Sequence, residues 1–160
     1  MTRCFYFVAI SALCLAGCGQ ESPEIAANKP YDETADAKLD LAKALATPTN
    51  TPILIVFGAN WCSDCKALDA AMKHGASAAL LSRDFRIIKV DVGRFNKNRD
   101  LAESYGVFFE KGIPSIAIVS PTNKVLYVTQ GGELRNAEKM SDDGIYQFFK
   151  RVTESARGND

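Results

Sequence analysis

Apolar and polar positions change character several times along this chain, and the changes mark its elements. Phe5 to Leu15 is an almost unbroken apolar run. Gly19 to about Glu33 is polar, punctuated by Pro23 and Pro30 and without apolar period, as a tether would be. From Thr34, a candidate helix cap, Ala35, Leu39, Ala42 and Leu45 recur at helical spacing, and the pattern ends before Pro48. Ile53 to Phe57 is continuously apolar, which predicts a strand covered on both faces. A helix is predicted from Cys62, with Leu68, Ala71 and Met72 as its apolar stripe, and Phe85 to Val92 predicts a second strand. Asn98 to Tyr105 predicts a helix stopped by Gly106. Ile116 to Val119 and Val125 to Val128 predict two strands joined by a turn at Pro121 to Lys124. Gly131 and Gly132 then break the chain, and Ser141 or Asp142 can cap a last helix carrying Ile145, Phe148, Phe149 and Val152. No internal repeat is visible. This order predicts a small α/β sandwich, half built by crossover connections and half antiparallel.

The amino-terminal apolar run is about eleven residues long, where a spanning helix needs roughly twenty. With Arg3 before it and small residues after it, the run fits a secretory signal peptide. Leu15-Ala16-Gly17-Cys18 resembles the lipobox of bacterial lipoproteins. That resemblance implies cleavage before Cys18 and acylation of its thiol, and several acyl chains hold a protein firmly on a membrane. The expected organisation is a leader at 1–17, a lipidated terminus and tether at 18–33, one domain at 34–156 and a short tail at 157–160. The chain, 160 residues with 47% hydrophobic content, suits a single core. Lysine plus arginine equal aspartate plus glutamate at 19 each. Such neutrality leaves no electrostatic footprint for nucleic acid. Gly19, where an inner-membrane retention signal would place Asp, favours the outer membrane, with the domain facing the periplasm of a bacterial envelope.

Processing also simplifies the cysteines. Cys4 and Cys14 leave with the leader, so with Cys18 lipidated the free thiols are Cys62 and Cys65, in a compartment where disulfides persist. The pair lies at the predicted strand-to-helix junction Trp61-Cys62-Ser63-Asp64-Cys65-Lys66. Unpaired backbone N–H groups and the positive end of the helix dipole favour a thiolate there, so Cys62 is expected to titrate below the roughly 8.5 of a free cysteine. Cys65 falls on the same helical face. Cys62 would then attack a partner's disulfide, and Cys65 would resolve the mixed disulfide. Other fates compete. Zinc or copper would need His74 and further ligands, an iron–sulfur cluster lacks its ligand set, and a structural disulfide closing so small a loop removes little chain entropy. No metal and no organic cofactor is expected.

Ile53 to Lys66, Gly112-Ile113-Pro114-Ser115 and the strand–turn–strand–glycine pattern after them resemble the thioredoxin superfamily, and most closely its exported branch with a Trp-Cys-x-Asp-Cys centre. The resemblance implies the thioredoxin fold, a mixed sheet of about four to five strands flanked by helices. It implies a cis Pro114, preceded by Ile113 and lying against the dithiol, and a thiol–disulfide oxidoreductase that works on protein disulfides and exchanges electrons with a redox partner protein. A monomer is expected. A redox-inert assembly lipoprotein and a copper carrier are the alternatives. Where the best-known members place a buried Asp that serves Cys65, this chain has Val56. The stretch from Gly93 to Lys111 is longer than in minimal members, and Arg94, Phe95, Phe108 and Phe109 make it a candidate contact loop. Asp64 opposes a thiolate beside it while Lys66 favours one, which predicts a moderately reducing couple. Asp64→Asn is expected to shift the redox potential measured against glutathione, and an unchanged potential would sink the electrostatic argument.

Overall fold

Every residue of Ile53–Gly58 (β1) is buried, so this strand needs a covering layer on each face. The computed structural model describes residues 29–159. The predicted leader, Cys18 and the tether as far as residue 28 lie outside the described residues. Within them the order is α1 (Ala37–Ala46), β1, α2 (Ser63–Met72), α3 (Gly75–Asp84), β2 (Arg86–Asp91), α4 (Arg99–Ser104), β3 (Ser115–Val119), β4 (Val125–Val128) and α5 (Asp142–Gly158). Single 3₁₀ turns stand at Phe109–Lys111 and Ala137–Lys139.

The strands form one mixed sheet in the order β2-β1-β3-β4. β1 runs parallel to β2 and antiparallel to β3, which is antiparallel to β4. The two-residue period of a strand sends Ile53, Ile55 and Phe57 to one face, where they meet Leu41 of α1 and Leu101 and Ala102 of α4. Leu54 and Val56 go to the other face, against Leu68 of α2, Leu81 of α3 and Phe149 of α5. A mixed four-stranded sheet flanked by helices is the thioredoxin-like arrangement expected from the motifs. Among the described residues, no helix is long and apolar enough to cross a membrane.

Three local expectations change. α1 is capped by Asp36, whose carboxylate accepts the Leu39 N–H at 3.0 Å, whereas Thr34 turns back to bond Asp32 at 2.7 Å. α3 is unforeseen: Gly75 and a run of small residues blur its period, and only Ser77, Leu80 and Leu81 are buried. It is a helix because it packs between α2 and α5. Finally, Tyr31 is buried and Glu33 is bonded to the domain, although the polar pattern assigns both to the tether.

α3 is tied to α5 at its end. Arg83 donates to Asp84 at 2.8 and 3.0 Å, and Arg157 of α5 donates to the same carboxylate at 3.0 Å. The Arg83 hydrogen bond, opposed by partial burial and then aided by the Arg157 charge, holds the Asp84 carboxyl below the usual aspartate range. A carboxyl depressed in the folded state adds stability above its unfolded value of about 4 and loses it as pH falls through the folded value. Asp84→Asn should therefore lower the melting temperature by a few degrees at neutral pH, with the gap to wild type closing as the medium is taken below about pH 3. A gap independent of pH would exclude the ionic contribution.

Candidate active site

β1 ends at Gly58, and the chain turns through Ala59 to Trp61 so that Cys62 N–H donates to the Ala59 carbonyl at 3.2 Å. Cys62 has an extended backbone and is the N-cap of α2, with Cys65 one turn into the helix. The Cys65 N–H donates to the Cys62 sulfur at 3.1 Å, so a helix-terminal donor that would otherwise lack a partner faces Sγ. Such a donor favours negative charge on that sulfur. The two sulfurs are joined as a disulfide, with Cα atoms 5.2 Å apart. Cys62 keeps 7% of its surface exposed and Cys65 none. An incoming sulfur can therefore reach Cys62 and not Cys65, which fits attack to the first and resolution to the second.

Ile113 and Pro114 arrive from the chain just ahead of β3, and the bond between them is cis. Both are buried, and the Ile113 carbonyl oxygen lies 3.7 Å from the Cys62 sulfur. In the disulfide Cys62 carries no proton, so this is a contact, one that a Cys62 thiol could convert into a hydrogen bond. Trp61 is 46% exposed, and its indole N–H donates to the Gly93 carbonyl at 2.7 Å. Phe95 meets the Trp61 ring edge-on at 5.5 Å, and the Arg94 guanidinium lies 5.8 Å from its centre. Phe95 also packs on Phe109, which packs on Phe57 of β1. The long stretch after β2 thus sends Phe95 and Phe109 inward as an aromatic chain from site to core, while Phe108 is exposed. Asp64 accepts the Glu138 N–H at 3.0 Å, tying the start of α2 to the Ala137–Lys139 turn. Lys66 is half-buried on the first turn of α2, its N–H on the Cys62 carbonyl at 3.2 Å.

His74 lies exposed beyond the other end of α2, about 15 Å along the helix from the cysteines at 1.5 Å per residue. Among the described residues, no three His, Cys, Asp or Glu side chains gather as a metal-ligand group.

Under the cysteines, Val56 is buried and apolar, and its partner across the sheet is Lys89. Lys89 pairs with Asp69, a buried carboxylate on α2 one turn beyond Cys65, which also takes Lys73 at 2.7 Å. Asp91, opposite Gly58 in register, is buried too, and its Oδ2 lies 3.2 Å from Lys97 Nζ, an ion-pair distance without hydrogen-bond geometry. Neither carboxylate was singled out in the sequence. The signal for Asp69 was an acid four residues after Cys65 with Lys73 four residues further on. Tyr31 completes the group. Asn60 clamps its backbone, accepting the Tyr31 N–H at 3.0 Å and donating to the Tyr31 carbonyl at 2.8 Å and to Glu33 at 2.8 Å. Tyr31 is 2% exposed. Burial first, then the charges of Asp69 and Asp91, push the Tyr31 phenol far above its ordinary value. Gly58 makes the room: a side-chain carbon there would collide with the Tyr31 hydroxyl and stand 3.0 Å from the Cys65 sulfur.

A family model described as thioredoxin-like matches residues 34–121. The crystal structure of a disulphide isomerase from Xylella fastidiosa Temecula1 is 49% identical, with a TM-score of 0.75, over 79% of this chain and 98% of that one. The thiol:disulfide interchange protein DsbD 1 of Pseudomonas aeruginosa is 27% identical over 110 residues, 64% of this chain. The chain spans only 18% of the length of that curated relative. The reduced C-terminal domain of Neisseria meningitidis DsbD shares the fold at 19% identity and a TM-score of 0.52, over 72% of this chain and 96% of that one.

Proposed function

The chain belongs to the thioredoxin-like family, and from that premise we propose that it is a protein thiol–disulfide oxidoreductase, held by a lipid on Cys18 at the periplasmic side of a bacterial membrane and working chiefly as a reductase. The observation that carries the activity is the Cys62–Cys65 pair itself, capping a helix with one sulfur exposed and the other buried. The names of the two relatives, a disulphide isomerase and an interchange protein, support the same chemistry. The lipobox-like Leu15-Ala16-Gly17-Cys18 and the apolar run before it support the location. The absence of Asp at Gly19 favours the outer membrane.

In the reducing direction the Cys62 thiolate attacks one sulfur of a partner's disulfide. A Cys62–partner bond forms, the partner's own S–S bond breaks, and its second sulfur leaves with the electron pair and takes a proton from water. Cys65 then loses its proton and attacks the Cys62 sulfur. The Cys62–Cys65 bond forms, the partner's first sulfur leaves as a thiolate and is protonated, and two electrons have passed from the dithiol to the partner. A redox partner protein with a dithiol of its own restores the reduced pair by the same steps in reverse. Release of the mixed disulfide onto another sulfur of the same partner would be isomerisation, which the name of the Xylella relative favours as a second reading. A copper carrier is disfavoured by the position of His74, and an inert assembly module by a dithiol placed at a helix start.

Insulin reduction with dithiothreitol tests the activity: Cys62→Ser should fall to the uncatalysed rate, and Cys65→Ser should trap a mixed disulfide. Turnover surviving Cys62→Ser would exclude it as the nucleophile. For the anchor, cells fed a labelled fatty acid should label the wild-type chain and not Cys18→Ser; equal labelling of both would overturn the lipid assignment.

A further inference from the structure

Resolution requires a charged sulfur at Cys65, and Cys65 is wholly buried. A buried anion without a partner is strongly disfavoured, and Val56 offers none. The phenol oxygen of Tyr31 borders the same small space over Gly58 as the Cys65 sulfur does. We propose that the Tyr31 hydroxyl is the donor for the resolving step, giving a hydrogen bond to the Cys65 sulfur as that sulfur becomes a thiolate. The assignment rests on the oxidoreductase activity proposed above and deepens it.

Three features make the phenol fit this task. Its position is fixed, because Asn60 holds the Tyr31 backbone through both N–H and carbonyl, and Asn60 itself lies two residues before Cys62. Lys97 adds a bond to the Glu33 carbonyl at 2.9 Å, pinning the same segment from the far side. Its proton stays in place, since burial and the two carboxylates facing it, Asp69 from α2 and Asp91 from β2, oppose ionisation. Those carboxylates are in turn paired with Lys73, Lys89 and Lys97, so neither is left as an isolated buried charge. Lastly, space is reserved for it: the strand would accept any small residue at 58 on backbone grounds, yet only a glycine leaves the hydroxyl where it stands.

In the step itself Tyr31 keeps its proton. The Cys65 thiol gives its proton to water, the phenol O–H turns toward the resulting thiolate, and the thiolate attacks the Cys62 sulfur. When the Cys62–Cys65 bond forms, the charge leaves with the partner's sulfur and the phenol is left bordering a neutral one. A residue from the segment joining the domain to its expected anchor is thereby part of the redox centre.

The test is stopped-flow oxidation of the reduced full chain by dithiobis(nitrobenzoate), with Cys4→Ser, Cys14→Ser and Cys18→Ser so that Cys62 and Cys65 are the only thiols. Attack by Cys62 releases one coloured aryl thiolate, and attack by Cys65 on the mixed disulfide releases a second. In Tyr31→Phe the first phase should be unaltered. The second should slow about tenfold at neutral pH, its pH midpoint moving up by about one unit, the size expected when a hydrogen bond to the charged form is lost. A second phase with wild-type rate and midpoint would overturn the proposal while leaving the oxidoreductase reading intact. So would equal slowing of both phases, which would mark Tyr31 as packing alone. A wild type that releases no second thiolate would overturn both.

Discussion

The hydrogen bond from the Cys65 N–H to the Cys62 sulfur depends on where α2 begins. Because Cys62 is the N-cap, its sulfur receives a helix-terminal donor and keeps a little exposure, while Cys65 is carried one turn inward and loses all of it. The start of α2 depends in turn on β1, whose six buried residues lock it between two layers and deliver Gly58 at the edge of the core. From there the turn at Ala59 to Trp61 has little freedom: Trp61 is bonded to Gly93, and Asn60 to Tyr31. The reactive geometry is thus inherited from the burial of the sheet.

The polar groups beneath the site follow from the same alternation. On β2, Ile88, Val90 and the following Val92 turn to the α1 and α4 layer, so Lys89 and Asp91 must turn to the side that α2 covers. Carboxylates buried at an apolar sheet are costly unless paired. Asp69 is matched by Lys73 and Lys89, and Asp91 by Lys97. Val56 itself is apolar, and the buried acids beneath the site are Asp69, on the helix that carries the cysteines, and Asp91 on β2.

Much of the fold was legible in the sequence. The four strands, α2 and the last helix announced themselves because each has a strong apolar period or run, and β4 was bounded as expected at Val125 and Val128. α3 was not legible, since Gly75, Ser77 and three alanines between Lys73 and Leu80 carry almost no period; its helicity is decided by α5 and α2 around it. Tyr31 was hidden for a related reason. One aromatic in a proline-punctuated polar stretch has no neighbours at a repeating spacing, and local patterns say nothing about a side chain that inserts alone.

The sequence by itself determined the dithiol and its place at a helix start, because both are written in residues a few positions apart, and the resemblance carried by the separate motifs implied the family and the proline beside the dithiol. Tertiary structure alone decided which groups surround the second sulfur. Tyr31, Gly58, Asp69 and Asp91 are far apart in sequence and individually unremarkable in pattern. They meet because a strand, a helix and an incoming segment converge on one buried point, and such convergence is fixed by packing rather than by any local spacing.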